Sequence, residues 1–345
     1  MEKKKVLLIT ERLEHYRVPL FNLLAKSVDL TVIHSSSIVK DVDFKQKELT
    51  CKSIGPFIKF YGLDEKNYDF VIYPFNIRII NLFLNCFKKT FYKKVLFGIG
   101  VAASYEKKYD EKSFLDFLRV FYLKKFDYAI FYERYPFIKY QSMSIPGKKM
   151  SIAYNTVSRN IAFNILNKTY ESFLFIGSLY KQKNIFSLIK AYHSLYLINN
   201  NIYKLEIVGD GDEFDSIEKY IYDNKLVGKI ILHGKITSDN VLLPIMQRAI
   251  VCISPGQAGL SVQKCFSYGV GFITTYSAIT GGEISSIIEN VNGDFYDGTT
   301  DGLIELMLKY LDLEYAKNIS SNAYIFYNEF RNERIWLNGF IKNIV

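Results

Sequence analysis

Short apolar runs alternate with helical patterns along this chain, and partway through the alternation begins again. Residues 6–10 are apolar enough for a buried strand and too few for a helix. Residues 19–26 then carry Leu20, Phe21, Leu23 and Leu24 at helical spacing. Strands separated by helices pair in parallel, because a parallel neighbour needs a crossover of about that length. Further strands are expected at 30–34, 69–74, 94–98, 127–132 and 151–154, with helices at 79–87 and 113–125, the latter capped by Ser113. The second series places strands at 172–176, 204–208, 229–233, 251–254 and 271–275, and helices at 184–196, 213–224, 241–248, 261–268 and 301–311. Residues 160–170 are polar and unpatterned, and 316–345 read as helical, with Phe326, Phe330, Trp336, Phe340 and Ile341 apolar. The expected organisation is a first α/β domain over 1–165, a second over 166–325 and a helix over 326–345 that packs back on the first. Doubly wound sheets bind ligands at the carboxyl ends of their strands, so two such domains facing across a cleft would gather function there.

A length of 345 residues suits two domains, and a hydrophobic share of 49% is enough for both cores. Cys51, Cys86, Cys252 and Cys265 show no paired spacing, which argues against a zinc site or disulfide framework and suits a reducing compartment. The basic start is followed by only four apolar residues before Glu11, Arg12 and Glu14, too few for a signal peptide. No run approaches the roughly 18 apolar residues of a spanning helix. A soluble or peripheral protein is expected, with the sequons at Asn167 and Asn318 chance matches.

The most specific signal lies in the second half. Phe175-Ile176-Gly177-Ser178-Leu179 leads to Lys183-Asn184-Ile185 and a helix. Leu205 to Gly211 reads Leu-Glu-Ile-Val-Gly-Asp-Gly. Ile253-Ser254-Pro255-Gly256 precedes Gly259-Leu260, Ser267-Tyr268-Gly269 follows, and then come Gly281-Gly282 and Glu289-Asn290-Val291-Asn292-Gly293. In this order the chain resembles the retaining GT-B glycosyltransferases of group 1, also called family 4. Tyr154-Asn155-Thr156-Val157 resembles that family's turn at the end of its first domain. A Pro-Gly-x-x-Gly-Leu loop resembles a subgroup found among surface-polysaccharide enzymes.

The resemblance implies a nucleotide-sugar donor whose diphosphate is the leaving group. Cations and helix N-termini in a water-poor site stabilise the charge it develops. Lys183 matches the family's phosphate-binding lysine; taken alone it also reads as a solvated lysine in a Lys-rich loop. Gly177, Ser178, Gly209, Gly256, Gly259, Leu260 and Ser261 would line the donor. Ser178 stands where the family usually has a second cation, and Gly256 and Lys264 stand where it has two glutamates. Gln263 or Lys264 would replace a carboxylate contact, or Lys264 would supply the missing cation, and Glu283 is the nearest remaining acid; an ordinary surface carboxylate is the other reading of Glu283. Asp210-Gly211-Asp212 has the form of a metal-binding DxD, but its setting after a strand favours a turn, so no metal and no other cofactor are expected. Retaining enzymes of this fold need no carboxylate pair of the glycosidase kind, since the donor phosphate is thought to take the acceptor proton.

In the first half, Glu11, His15, Tyr16 and Arg17 follow the first strand. Arg17 beside a helix N-terminus suits a phosphate or an acidic acceptor. His15 suits a hydrogen-bond donor or base, with a plain surface histidine equally open. Glu11 suits acceptor hydroxyls. Gly98 and Gly100 would line the acceptor side, and His34 is either at the same rim or structural.

The net charge of +9 concentrates in the first domain. Residues 88–94, Lys-Lys-Thr-Phe-Tyr-Lys-Lys, and residues 117–126 mix cations with aromatics, a combination that suits an anionic membrane surface. No groove-entering or RNA-stacking motif accompanies it, which argues against nucleic acid. The resulting expectation is a hexosyl-type transferase adding sugar to a lipid-linked or oligosaccharide acceptor in lipopolysaccharide O-antigen or capsule synthesis. It would be cytoplasmic and peripheral at the inner face of the plasma membrane. A non-catalytic sugar- or nucleotide-binding subunit and a GT-B sugar-nucleotide epimerase are the alternatives.

Overall fold

A computed structural model describes residues 2–103, 109–111 and 115–345. It divides into two compact units. One holds residues up to Ser158 together with Asn332–Val345, and the other holds Arg159–Arg331.

The first unit runs β1 (Lys5–Ile9), α1 (Val18–Ser27), β2 (Asp29–His34), β3 (Lys45–Glu48), β4 (Thr50–Ile54), β5 (Phe57–Tyr61), β6 (Phe70–Pro74), α2 (Ile80–Asn85), β7 (Lys93–Gly98), α3 (Asp116–Lys125), β8 (Tyr128–Phe131), α4 (Arg134–Ser142) and β9 (Met150–Ile152). Seven strands form one parallel sheet in the order β3-β2-β1-β6-β7-β8-β9, while β4 and β5 pair antiparallel as a separate hairpin. Both faces of the sheet are covered, so its central strands are apolar on both sides, as parallel strands require. α2, α3 and the hairpin cover one face, and α1 covers the other.

The second unit runs β10 (Ser172–Ile176), α5 (Ile185–Ile198), β11 (Lys204–Val208), α6 (Phe214–Asp223), β12 (Ile230–Leu232), α7 (Asp239–Arg248), β13 (Ala249–Ile253), α8 (Ser261–Ser267), β14 (Gly271–Thr275), β15 (Gly293–Tyr296), α9 (Thr300–Lys309) and α10 (Leu313–Phe326). Its six strands are parallel in the order β12-β11-β10-β13-β14-β15. A final helix, α11 (Glu333–Ile341), rejoins the first unit. There Trp336 is fully buried against Phe21 and Phe340. A Cβ on Gly339 would stand 1.8 Å from the carbonyl oxygen of Ile152, so only glycine lets α11 lie this close to β9.

The units divide at Ser158/Arg159 and Arg331/Asn332 rather than at 165 and 325. Arg159 already donates to the carbonyl of Ser267 and the Asn160 N–H to Asp239, which ties this polar segment to the second unit. Tyr327 is buried in the second unit's core, and Arg331 reaches Ser286 there. Elements beyond those the sequence pattern predicts are β3, the β4–β5 hairpin, α4 and β15. β3 and β4 read Lys-Gln-Lys-Glu and Thr-Cys-Lys-Ser-Ile and are largely exposed, so they carry no apolar alternation to detect. The helix expected from residue 113 is described from Asp116, and its Ser113 cap lies outside the described residues.

Candidate functional site

In each sheet the strand order reverses beside the first strand, between β1 and β6 in one unit and between β10 and β13 in the other. Such a switch point opens a crevice at the carboxyl edge, because the connections on its two sides run to opposite faces.

In the second unit three loops meet at this edge with almost no space between their backbones. A Cβ on Gly209, after β11, would stand 1.8 Å from the Gly177 carbonyl oxygen. One on Gly256, after β13, would stand 2.1 Å from that of Gln182, and the Gly256 N–H donates to the Lys183 carbonyl at 3.0 Å. Asn184 turns the chain through the left-handed region, φ 52°, and directs it into α5.

Lys183 is 6% exposed. Its ammonium lies over Gly177, 3.2 Å from where a Cβ would be, and 5.9 Å from the Tyr180 ring centre. Among the described residues it has no hydrogen-bond or ion-pair acceptor. Burial pushes its pKa down to about 8, while Cys252 and Glu283 pull the other way. A buried cation without a hydrogen-bonded or ion-paired acceptor is costly, and an anionic ligand would offset that cost. Glu283 is itself buried and accepts from the Gly281 N–H at 3.0 Å.

The loop after β13 is pinned from beneath. Thr274 and Thr275 donate to the carbonyls of Ser254 and Pro255, and the Ala258 and Ile279 N–H groups donate to the Ile279 and Gly256 carbonyls. Past it, the backbone N–H groups of Gly259, Leu260 and Ser261 have no acceptor among the described residues, and the buried Ser261 hydroxyl has none either. A buried lysine after β10 and open N–H donors after β13 thus lie in loops at the carboxyl edge of one sheet, and both are of the kind that suits a phosphate-like anion.

Ser178 is exposed beside this site. Lys264 points elsewhere: its ammonium is ion-paired to Asp239, so its charge is already matched. Asp210 accepts from the Gly211 N–H at 2.8 Å, an Asx-type turn contact. Two residues next to Lys183 went unnoticed in the sequence: Tyr180, whose hydroxyl donates to Gln257, and Gln257 itself. Buried Gln263, which donates to Ser286 at 2.8 Å, ties α8 to the segment after Glu283. Only the position of Tyr180 and Gln257 in the loops after β10 and β13 marks them in the sequence.

In the first unit His15 and Tyr16 lie in the turn before α1, with His15 exposed and its ring edge-on to Tyr16. Arg17 is buried, with its guanidinium 4.8 Å from the Tyr132 ring centre and 5.7 Å from that of Phe97; its Nη1 is buried without an acceptor. Glu11 is exposed near the same carboxyl edge. Gly98 and Gly100 are packing positions: a Cβ on Gly100, φ +80°, would stand 2.6 Å from the Phe131 ring, and its carbonyl accepts from the Tyr140 hydroxyl. His34 is fully buried between Gln46 and Ser36, which makes it structural. In the basic segment, Tyr92 is buried and donates to Glu65, and Lys94 is buried and donates to the Asn85 carbonyl. These two residues therefore leave the exposed cationic–aromatic surface.

Residues 157–326 match the model of the family described as glycosyl transferases group 1. That segment spans nearly all of the second unit. No curated protein matches the chain in sequence. Among solved structures, Anabaena HepE in complex with UDP is similar at 14% identity and a TM-score of 0.71, over 99% of each chain. The apo form of the lipopolysaccharide outer core galactosyltransferase WaaB is similar at 15% identity and 0.63, over 99% of each chain. Sucrose-phosphate synthase from Thermosynechococcus elongatus is similar at 14% and 0.67, over 99% of this chain and 98% of that one. At these identities the likeness establishes the fold, which is GT-B with two Rossmann-like domains.

Proposed function

We propose that this chain is a retaining glycosyltransferase that moves a hexosyl group from a nucleotide-sugar donor to a lipid-linked or oligosaccharide acceptor, in the synthesis of a bacterial surface polysaccharide such as O-antigen or capsule. The observation that carries the proposal is buried Lys183, which has no hydrogen-bond or ion-pair acceptor among the described residues and whose loop meets the one after β13, where the N–H groups of residues 259–261 are open. UDP in the HepE complex supports a nucleoside diphosphate as the bound group. The acceptor hydroxyl attacks the anomeric carbon, the bond from that carbon to the diphosphate breaks, and the hydroxyl proton leaves with the diphosphate. Lys183 and the loop amides lower the barrier by meeting the charge that accumulates on the departing oxygens. No metal is required, since these donors do the work a divalent cation does elsewhere. Ser178, Gly177, Gly209, Gly256 and Glu283 shape the donor side; Glu11, His15, Tyr16 and Arg17 serve the acceptor. The protein works at the cytoplasmic face of the plasma membrane.

The test is direct. Full-length protein is heated with UDP, GDP and dTDP in turn, then incubated with the matching sugar donors while nucleoside diphosphate release is followed. One nucleotide should raise the unfolding midpoint, and its sugar donor should be consumed without added metal. If no nucleoside diphosphate stabilises the chain and no donor is consumed, the proposal fails.

A further inference from the structure

The first unit carries an unusual surface. Phe91 is 111% exposed, Phe87 64% and Phe117 53%, and Phe83 and Leu84 are also exposed. A phenyl ring held in water forgoes the stabilisation that burial would give it. These residues are not scattered: Phe83 and Phe87 rings lie 5.3 Å apart at the end of α2, and Phe87 lies 6.1 Å from Phe121 on α3. Phe117 stands four residues before Phe121, on the same side of that helix.

Lysines border the aromatics. Lys88 and Lys89 follow α2 and Lys124 and Lys125 end α3, all exposed, and the Lys125 ammonium lies 5.9 Å from the Phe121 ring centre. Neighbouring acids are already matched. Glu65 accepts from Tyr73 and Tyr92 and lies 3.9 Å from the Lys88 ammonium, which stays largely exposed; Asp116 pairs with Arg119 and Lys139, and Asp127 pairs with Lys93. The β4–β5 hairpin beside α2 turns a similar set outward, with exposed Phe57 and Ile54 at its tip and Lys52 opposite Lys59.

We infer that this face, α2 with the loop after it and α3, seats in a bilayer containing anionic lipid, with Phe87, Phe91 and Phe117 entering the headgroup–acyl boundary. Aromatic anchors edged by lysines fit that boundary, because the rings bury while the long cationic stems reach the phosphates. A protein partner fits less well, since protein interfaces share the aromatics but are depleted in lysine. No helix among the described residues is long and apolar enough to cross a membrane, so this face lies on the surface rather than spanning it. The inference deepens the membrane part of the proposed function and rests on it for its purpose, but its test reads lipid binding alone.

Full-length protein is sedimented with phosphatidylcholine vesicles and with vesicles containing roughly 30% phosphatidylglycerol, at low and high salt. Wild type should pellet with the anionic vesicles and partly remain bound at high salt. Replacing Lys88, Lys89, Lys124 and Lys125 by Gln should weaken low-salt binding on the order of 600-fold, at about fivefold for each lysine. Replacing Phe87, Phe91 and Phe117 by Ser should remove the salt-resistant fraction. Both variants should keep the wild-type nucleotide-induced thermal shift, which shows that they fold and separates this inference from the donor chemistry. Wild type staying in the supernatant with anionic vesicles at low salt, or variants pelleting like wild type, overturns it, as does a soluble dimer that buries this face.

Discussion

The ammonium of Lys183 rests over Gly177, 3.2 Å from where a side chain would begin. The glycine ending β10 is therefore what leaves room for the buried cation at the switch point. Gly177→Ala should displace the ammonium and strain the loop, since φ there is 154°. Affinity for the stabilising nucleoside diphosphate, measured by calorimetry, should fall about tenfold, equivalent to about 1.4 kcal/mol. Unchanged affinity would mean that Lys183 does not contact the nucleotide.

Lys183 serves binding at the expense of stability. A pKa lowered to about 8 means that folding disfavours its charge, by an amount on the order of 3 kcal/mol at neutral pH. Lys183→Met keeps the shape and removes the charge. It should raise the unfolding midpoint while abolishing nucleotide-induced stabilisation and slowing transfer by roughly 2–4 kcal/mol in barrier. A less stable variant that still bound nucleotide would contradict both roles.

The same shift predicts a pH dependence. Below pH 8 the lysine is charged in both folded and unfolded chains. Between about 8 and its ordinary value the folded chain sheds the proton first, so Lys183 contributes stability that rises with pH through that window. Nucleotide affinity should move the opposite way, weakening as pH rises above about 8, because the anion then meets a neutral amine. Calorimetry across pH 7–10 checks this, and the slope should be absent in Lys183→Met.

Arg17 offers a contrast in the first unit. Its guanidinium lies within cation–π distance of Tyr132 and Phe97, while buried Nη1 has no acceptor among the described residues. Arg17→Lys keeps the charge but loses the planar fork of donors. It should raise the KM for acceptor severalfold and leave nucleotide affinity unchanged. A change confined to donor kinetics would remove Arg17 from the acceptor side.

What the sequence discloses depends on how each element earns its burial. β1, β6, β10 and β13 are covered on both faces, so they appear as apolar runs, and the glycines between them appear because backbone crowding excludes any side chain. β3 and β4 are exposed and leave no such trace. Lys183 was legible from its place between a glycine-ended strand and a helix. The fates of Lys264, Tyr92 and Lys94 were not, because each is decided by a partner distant in sequence: Asp239, Glu65 and the carbonyl of Asn85.

The Asp239–Lys264 pair lends itself to a stability test. Burial raises the Asp239 pKa, but the hydrogen bonds from Lys264 and the Asn160 N–H outweigh that, and the net shift is downward. A carboxylate held low contributes stability that is present above its unfolded pKa of about 4 and is lost as pH falls through its folded value. Asp239→Asn should cost about 3–5 kcal/mol near pH 7, because it leaves Lys264 part-buried without its counter-ion. Lys264→Met should cost a similar amount by stranding the Asp239 carboxylate. The double replacement Asp239→Leu with Lys264→Met removes both charges, so it should recover much of that loss, although the Asn160 N–H then lacks its acceptor. Urea unfolding of the wild type and the three variants at pH 7 and again near pH 3 gives the coupling directly. Single-variant losses that simply add in the double variant, or a coupling unchanged near pH 3, would show that the pair contributes nothing as a pair.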